Sequence, residues 1–310
     1  MNKGNLKPLR FRGKNRVAVL FLDYLKERQK LINNELINVV NRLDAPTMLK
    51  ESMHYSIEAG GKRLRPILMM ASCESYGGSY ESVLPVAMGL EMIHTYSLIH
   101  DDLPAMDDDH FRRGKPTNHM QFDEATAILA GDGLLTLCFE VITDAPNLTD
   151  EQKVYLIKNL SKSSGPKGMV AGQILDMQAE KVEISLENLE KIHQLKTGQL
   201  IKYAIVSGAY IGGASKEQLN SIEQFADYLG LIFQVQDDIL DVTGDQQLIG
   251  KPIGSDENNY KSTYPKLLGL DGAIKQKNIY VEKAKEALRI AGIKHSPLEE
   301  LTDYFSNREY

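Results

Sequence analysis

The sequence predicts an all-α protein, one domain built as a bundle of roughly ten helices. Three observations support this fold class. Apolar residues recur at spacings of three and four along almost the whole chain, which is the period of an amphipathic helix. Proline and glycine occur where such stretches should begin and end. No run of alternating β-branched residues flanks a hairpin turn, and no break in composition indicates a linker.

The helical stretches follow one another along the chain. The first runs over residues 17–43. Pro46 begins the second, which ends at the glycine pair 60–61, and Pro66 begins the third, which ends at the pair 77–78. Several shorter stretches occupy the C-terminal part, after the longer ones at 81–103, 123–144, 150–163, 167–180, 186–211 and 215–243.

The charge of the chain is unevenly distributed. Of the 310 residues, 25% are charged and the formal net charge is −6. Residues 1–22 carry six cations and no acid, so the remainder is near −12. A body this acidic repels the phosphate backbone, which argues against nucleic acid as a partner. We expect residues 1–22 to form a loose basic tail and residues 23–310 to form the folded domain.

The sequence favours a cytoplasmic protein. No stretch approaches the roughly 18 apolar residues of a membrane span. The apolar run that follows the basic segment is too short for the core of a signal peptide. Cys73 and Cys138 both lie in apolar surroundings, and their spacing suggests no metal site. A reducing compartment fits this use of cysteine.

The stretch LIHDDLPAMDDDHFRRGKPTNH, residues 98–119, is strongly acidic and then basic. Asp101 and Asp102 end a largely apolar helix, where the helix dipole is already negative, so these carboxylates repel one another unless a cation neutralises them. Pro104 cannot continue a regular helix. A bulge at this proline would bring Asp107 to the side of Asp101, and the two would share a hard cation.

A second acidic motif, QVQDDILD, ends another apolar helix at residues 234–241. Asp237 and Asp241 are four residues apart and therefore lie on one helix face. The candidate ligands of both motifs are carboxylate oxygens without interleaved histidine or cysteine, which favours Mg²⁺ over zinc. We expect the two acidic helix ends to face each other across one cavity.

Basic motifs accompany the acidic ones. Since Mg²⁺ usually bridges to substrate phosphates, a diphosphate held by metal on one side and by cations on the other accounts for both sets of charges. The candidate cations are Lys62, Arg63, Arg65, Arg112, Arg113, Lys196, Lys251 and Lys261.

From about Leu43 to its end, the chain resembles the trans-isoprenyl diphosphate synthases, most closely the bacterial farnesyl type. The motifs GGKRLRP, HDDLPAMDDDHFRRGKPTNH, KTGQLI, FQVQDDILDVTGD and GKPIGSDENNYKSTYP follow the order of that family. His110 is one departure, since another acid is common there. The resemblance implies antiparallel helices around a deep central cavity (the isoprenoid synthase fold), a homodimer, and a prenyltransferase that condenses dimethylallyl or geranyl diphosphate with isopentenyl diphosphate, head to tail, to give farnesyl diphosphate.

The resemblance also implies roles for individual residues. A cluster of three Mg²⁺ ions is bound by Asp101, Asp107 and Asp237, with support from Asp102 and Asp241. The allylic diphosphate is held by Arg112, Lys196 and Lys251. Isopentenyl diphosphate is held by Lys62, Arg65, His94 and Arg113, and Lys261 is a further substrate contact. The allylic carbocation is stabilised by the oxygen dipoles of Thr197 and Gln234.

The residues before the first motif bear on product length. In the family, a bulky aromatic residue at the position of Tyr96 limits products to farnesyl length. Ideal helix spacing places Tyr96 about 140° from Asp101, on the flank, whereas the small Ser97 faces the cavity.

Two alternatives stay open within the chemistry, a geranylgeranyl diphosphate synthase and a class I terpene cyclase. A cyclase needs one substrate site only and carries an Asn-Ser-Glu type second motif. A non-catalytic subunit of a heteromeric synthase is a third alternative, but such subunits usually lose an acidic motif, and this chain has both.

Overall fold

The computed structural model describes residues 15–180, 182–243, 262–294 and 296–308, with side chains from residue 21 onward. Lys251 and Lys261 lie outside these residues. The α-helices are α1 Asn15–Arg42, α2 Thr47–Glu58, α3 Leu64–Ser75, α4 Tyr80–Asp101, α5 Asn118–Gln121, α6 Glu124–Thr143, α7 Asp150–Ser164, α8 Met169–Ala179, α9 Leu186–His193, α10 Gln199–Ile211, α11 Lys216–Thr243, α12 Tyr264–Ile290 and α13 Pro297–Asn307.

The predicted all-α class is confirmed. Helix α1 begins at Asn15, so helical structure extends into the segment 1–22 that we expect to form a tail. One hydrophobic core joins the described helices, from Ile32 in α1 to Phe305 in α13. Helix α4 is apolar nearly all round and is buried between α3 and α6, as expected for a helix without a polar face. Helix α10 packs on α3 and α11, and α11 packs on α12.

The predicted helix over residues 186–211 is interrupted by a π-helical segment, Gln194–Gly198, between α9 and α10. Two glycines allow the backbones of α8 and α11 to approach this π segment closely. A Cβ atom at Gly172 of α8 would lie 2.5 Å from Lys196 Cα, and one at Gly230 of α11 would lie 3.1 Å from Gly198 Cα. Such π segments occur frequently at functional sites, and this one contains Lys196 and Thr197.

A short hairpin departs from the expectation that the chain has none. Strand β1 (Phe111–Arg112) pairs antiparallel with β2 (Lys115–Pro116). The turn residues Arg113 and Gly114 have φ values of 54° and 76°, as a type I′ turn requires. The strands are two residues long and lack β-branched side chains, so neither length nor composition indicates them in the sequence.

Two helices meet the length and hydropathy of a membrane span, contrary to the expectation from composition. In α4 the most apolar window is 67% buried inside the protein. Its high hydropathy is therefore that of a core helix. In α6 the window is only 39% buried. Its outer face exposes Ile128 by 42% and Leu129 by 59%.

Candidate active site

The first acidic motif forms a tight turn at the end of α4. The Asp107 N–H donates to the carbonyl oxygen of Asp101 at 2.9 Å, and the Asp108 N–H donates to the carbonyl oxygen of Leu103 at 3.2 Å. The chain therefore folds back after Pro104, and the Asp107 carboxylate acts electrostatically on Asp101. The predicted bulge at this proline thus corresponds to an observed turn.

Asp102, the next residue after Asp101, is bound by Arg112. Arg112 Nε donates to both carboxylate oxygens, at 2.7 and 2.9 Å, and Nη2 donates to Oδ1 at 2.5 Å. Asp102 is only 3% exposed. Burial raises its pKa, and the hydrogen bonds from Arg112 oppose that rise. This bidentate pair holds the hairpin against the end of α4.

Asp101 is the most electrostatically strained of the described aspartates of this motif. Burial raises its pKa to about 6, and the charges of Asp107 and Asp102 act in the same direction, whereas Lys196 and Arg112 act against it. A buried carboxylate beside other carboxylates binds a cation readily, because the cation removes the repulsion.

Lys196 pairs with Asp176 of α8, Nζ to Oδ2, at 2.6 Å. It lies on the π segment and also acts electrostatically on Asp101. Asp176 is the one acid in α8, a helix that is otherwise uncharged. Lys196 therefore contacts one carboxylate directly and acts on a second through its charge, and it is followed by the half-buried Thr197.

A second group of cations lies around His94 and the loop before α3. Arg65 Nη1 is 3.3 Å from His94 Nε2. Burial and the charge of Arg65 hold the pKa of His94 well below its usual range, so the ring is neutral and accepts from Arg65. Arg65 Nε is buried without a hydrogen-bond partner among the described residues. A buried, unpaired guanidinium nitrogen is suited to an anionic ligand.

Arg63, between Lys62 and Arg65 in the same loop, anchors that loop. Its φ is 51°, and its guanidinium donates to Glu91 Oε1 at 2.7 Å, Asn33 Oδ1 at 2.7 Å and the Ile57 carbonyl at 2.5 Å. With 3% exposure it is a buried ion-pair partner of Glu91. The three cations of GGKRLRP are therefore not equivalent, because the middle one, Arg63, stabilises the loop itself.

Arg113, in the hairpin turn, faces the same loop. Its Nη1 donates to the Gly60 carbonyl. A Cβ atom at Gly61 would lie 2.7 Å from Arg113 Nη1, so only glycine accommodates this approach without a shift of the arginine. The turn thus separates the two adjacent arginines, since Arg112 binds Asp102 whereas Arg113 approaches the loop of Lys62.

The second acidic motif meets the C-terminus. Asp237, on α11, forms an ion pair with Arg308, whose guanidinium also lies 4.2 Å from the centre of the Phe233 ring. Burial and the charge of Arg308 lower the pKa of Lys62 to about 8, while Asp237 acts in the opposite direction. Asp237 therefore lies near the cations of the second group. Asp241, one turn further, is half-buried.

Gln234 lies one turn before Asp237 on α11. Its Nε2 is 3.3 Å from His193 Nδ1. His193 Nε2 is 3.9 Å from Asp238 Oδ2, and the ring stacks on Tyr264 with a centroid distance of 5.9 Å and an interplanar angle of 14°. Asp238 also accepts from the Tyr264 N–H at 2.9 Å, which fixes the start of α12.

Tyr96 and Ser97 are placed differently below Asp101. Tyr96 is 8% exposed, and its ring meets His100 edge to face at 5.7 Å. Burial and the charge of Asp101 raise the pKa of Tyr96. Ser97 donates to the His94 carbonyl at 2.9 Å.

The donor set suits Mg²⁺. Within the described ranges, no three His, Cys, Asp or Glu side chains come close enough to hold a metal ion by themselves. Carboxylate oxygens nevertheless dominate both motifs, and Asp101 and Asp107 interact directly. Mg²⁺ typically takes one or two carboxylates and completes its shell with water and substrate phosphates, so this arrangement fits an ion that binds together with a diphosphate.

Three residues of the site have no place in the sequence-based assignment. Asp176 could have been recognised as the lone charge on an otherwise uncharged helix. His193 comes three residues before Lys196, which is a weak indication. Arg308 has no local indication, because its contact with Asp237 spans 71 residues.

A helical bundle with two acidic helix ends, each accompanied by cations that are partly or fully buried, is typical of proteins that bind diphosphates through metal ions and arginine or lysine. The model of the family described as polyprenyl synthetase matches residues 46–294. The chain belongs to this family, which confirms the resemblance to the trans-isoprenyl diphosphate synthases.

Individual relatives agree with this assignment. The farnesyl diphosphate synthase of Geobacillus stearothermophilus is 47% identical, over 93% of this chain and 97% of its own length. A geranylgeranyl diphosphate synthase of Cyanophora paradoxa is 45% identical, over 93% and 96%. The crystal structure of a geranyltransferase from Legionella pneumophila has a TM-score of 0.84 at 33% identity and covers 94% of this chain and 99% of that one.

Proposed function

We propose that the protein is a farnesyl diphosphate synthase, which condenses dimethylallyl and then geranyl diphosphate with isopentenyl diphosphate. The observation that carries the proposal is the presence of two separate cation groups. Lys196 and Arg112 accompany Asp101, whereas Arg65 and Arg113 lie near the neutral ring of His94, at the loop of Lys62. Joining two diphosphates needs two anion sites, whereas a terpene cyclase needs one.

The residues divide the chemistry between them. Lys196 and Arg112 bind the allylic diphosphate as it leaves, and Arg65, His94, Lys62 and Arg113 hold isopentenyl diphosphate. Three Mg²⁺ ions, bound through Asp101, Asp107 and Asp237 with Asp102 and Asp241 in support, would supply the positive charge that stabilises the leaving diphosphate. Lys251 and Lys261 complete the proposed substrate contacts.

An allylic carbocation must then be protected until it reacts. Thr197 and Gln234 present oxygen dipoles toward it, and the surrounding apolar core excludes water, which would otherwise quench it. The double bond of isopentenyl diphosphate attacks, and the released diphosphate takes up the final proton.

Product length depends on Tyr96 in this proposal. A buried ring next to Asp101 limits the space below the acidic motif, which favours the farnesyl product over geranylgeranyl diphosphate. The 47% identity to a farnesyl synthase supports the same choice, although a geranylgeranyl synthase at 45% keeps the longer product as the second candidate.

We also propose a homodimer formed through α6. Ile128 and Leu129 form a small apolar patch on its outer face, and exposed apolar patches on a folded protein mark interaction sites. We expect Leu129→Glu to convert a particle of twice 34.7 kDa into one of 34.7 kDa in light scattering. Ile290→Glu, at an equally exposed position outside α6, is the matched control and should leave the mass unchanged. A wild type of monomer mass would contradict the proposal.

The cytoplasm is the proposed location. Cys73 and Cys138 are both buried and unpaired, which suits a reducing compartment.

Incubation with isopentenyl and dimethylallyl diphosphates in Mg²⁺, followed by dephosphorylation and chromatography, tests the function. Farnesol is the expected alcohol. Geranylgeraniol as the main product would identify the longer-chain synthase. A cyclic hydrocarbon formed from geranyl or farnesyl diphosphate without isopentenyl diphosphate would identify a cyclase. Asp101→Asn and addition of EDTA serve as controls, each expected to abolish condensation.

A further inference from the structure

His193 contacts the side-chain amide of Gln234. The contact joins two helices 41 residues apart, with Gln234 Nε2 at 3.3 Å from His193 Nδ1. His193 is itself held in place on two sides. Its ring stacks on Tyr264, and its Nε2 faces Asp238 Oδ2 at 3.9 Å.

The chemistry of the two side chains sets the direction of the contact. The carboxylate of Asp238 favours a proton on His193 Nε2, which leaves Nδ1 as an acceptor. The amide NH₂ of Gln234 can only donate, so it is the group that faces Nδ1. Because oxygen and nitrogen lie on opposite sides of the amide carbon, fixing the nitrogen also fixes where the oxygen points.

Position along the chain connects this contact to the rest of the site. His193 is the last residue of α9, and the π segment with Lys196 and Thr197 begins at the next residue. His193 therefore links α11, which carries the second acidic motif, to the π segment, which carries Lys196. A rotation of the Gln234 amide by half a turn would present NH₂, a positive dipole end, in place of the oxygen.

We propose that His193 is a positioning residue that orients the Gln234 amide, so that its oxygen and not its NH₂ group faces the allylic carbocation. This rests on the proposed function, in which that cation forms. Tyr264 and Asp238 act one step further out, Tyr264 by stacking on the histidine ring and Asp238 through its negative charge, 3.9 Å from Nε2. His193 itself does not touch the substrate.

Two substitutions separate the acceptor from the packing. His193→Phe keeps a ring that can stack on Tyr264 and removes the acceptor, whereas His193→Asn supplies an acceptor oxygen near the position of Nδ1 and loses the stacking. Each is compared with wild type for kcat and for the KM of both substrates, with geranyl and isopentenyl diphosphates. The same pair is then made in a Gln234→Ala background, which completes a double-mutant cycle.

We expect His193→Phe to lower kcat about tenfold, the effect of losing one oriented hydrogen bond, with both KM values within about threefold of wild type. His193→Asn should keep most of the kcat. In the Gln234→Ala background, His193→Phe should cost less than about twofold more. Full activity of His193→Phe, or an equal loss with and without Gln234, would overturn the proposal.

A readout that needs no turnover accompanies the kinetics. The side-chain NH₂ resonance of Gln234 in ¹⁵N-labelled protein is identified by its absence in Gln234→Ala. It should shift in His193→Phe and stay near its wild-type position in His193→Asn, and an unmoved resonance in His193→Phe would also overturn the proposal. Failure of the wild type to make prenyl product would count against the proposed function alone, because the resonance reports the contact whether or not the enzyme turns over.

Discussion

A single methyl group at Gly172 tests whether the position of the π segment matters for the chemistry. In Gly172→Ala the new Cβ would lie 2.5 Å from Lys196 Cα and 2.7 Å from the carbonyl carbon of Leu195, and closer still to the Lys196 nitrogen. These are backbone atoms, so no side-chain rotation can relieve the overlap. Ordinary contact begins near 3.4 Å, so the two backbones must separate by about 1 Å.

The expected cost has two parts. Overpacking of this kind lowers stability by about 1–3 kcal/mol. Displacing Lys196 and Thr197 by about 1 Å should lower kcat with geranyl diphosphate by about 100-fold, because catalytic groups misplaced by that distance lose their alignment with the substrate.

Gly133→Ala is the matched control. Gly133 also lies in a helix, but a Cβ there would meet only flexible side-chain ends, Met53 Sδ at 3.3 Å and Leu49 Cδ1 at 3.8 Å. It should keep wild-type kcat, and the better helix propensity of alanine should raise stability by up to about 1 kcal/mol. Steady-state kinetics and thermal melts of both variants decide the matter. If folded Gly172→Ala keeps kcat within threefold of wild type, the close approach of α8 does not position the π segment.

Three further predictions concern the charged groups and the product. Because burial raises the pKa of Asp101 to about 6, the wild type should lose stability as the pH rises from about 4 to 6 in metal-free buffer, and Asp101→Asn should be more stable by about 2–3 kcal/mol at pH 8 but not at pH 4. Urea unfolding measures this, and a pH-independent difference would contradict it. Arg65→Ala should raise the KM for isopentenyl diphosphate ten- to a hundredfold, through loss of a charge-assisted contact worth roughly 1.5–3 kcal/mol, and leave that for geranyl diphosphate nearly unchanged. Equal rises would refute two separate anion sites. Tyr96→Ala should shift the chromatographed product toward geranylgeranyl length, at a stability cost of about 3–5 kcal/mol, and an unchanged product would exclude Tyr96 as the limit.

Local sequence patterns were sufficient to predict the helices and the acidic motifs. The period of apolar residues and the positions of proline and glycine indicate α2, α3 and α4 within a few residues, because helix formation depends on near neighbours. The same holds for Asp101 at the end of α4 and for the spacing of Asp237 and Asp241. The family could also be recognised from motifs that are each contiguous in the chain.

Contacts between distant segments required the tertiary structure. Arg112 and Arg113 are adjacent and chemically identical, and only the left-handed turn at Arg113 sends one to Asp102 and the other to the loop at Gly60. In the sequence Arg63 cannot be distinguished from the neighbouring cations Lys62 and Arg65. Its buried ion pair with Glu91, however, gives it a structural role.

The sequence by itself therefore determined the fold class, the family and the two acidic helix ends of this protein. The tertiary structure alone decided which cation meets which carboxylate. Asp237 pairs with Arg308 and Lys196 with Asp176, across 71 and 20 residues. The physical reason is that helical periodicity is a short-range property of the backbone, whereas the strength of an ion pair depends on distance and burial, which exist only after the helices have packed.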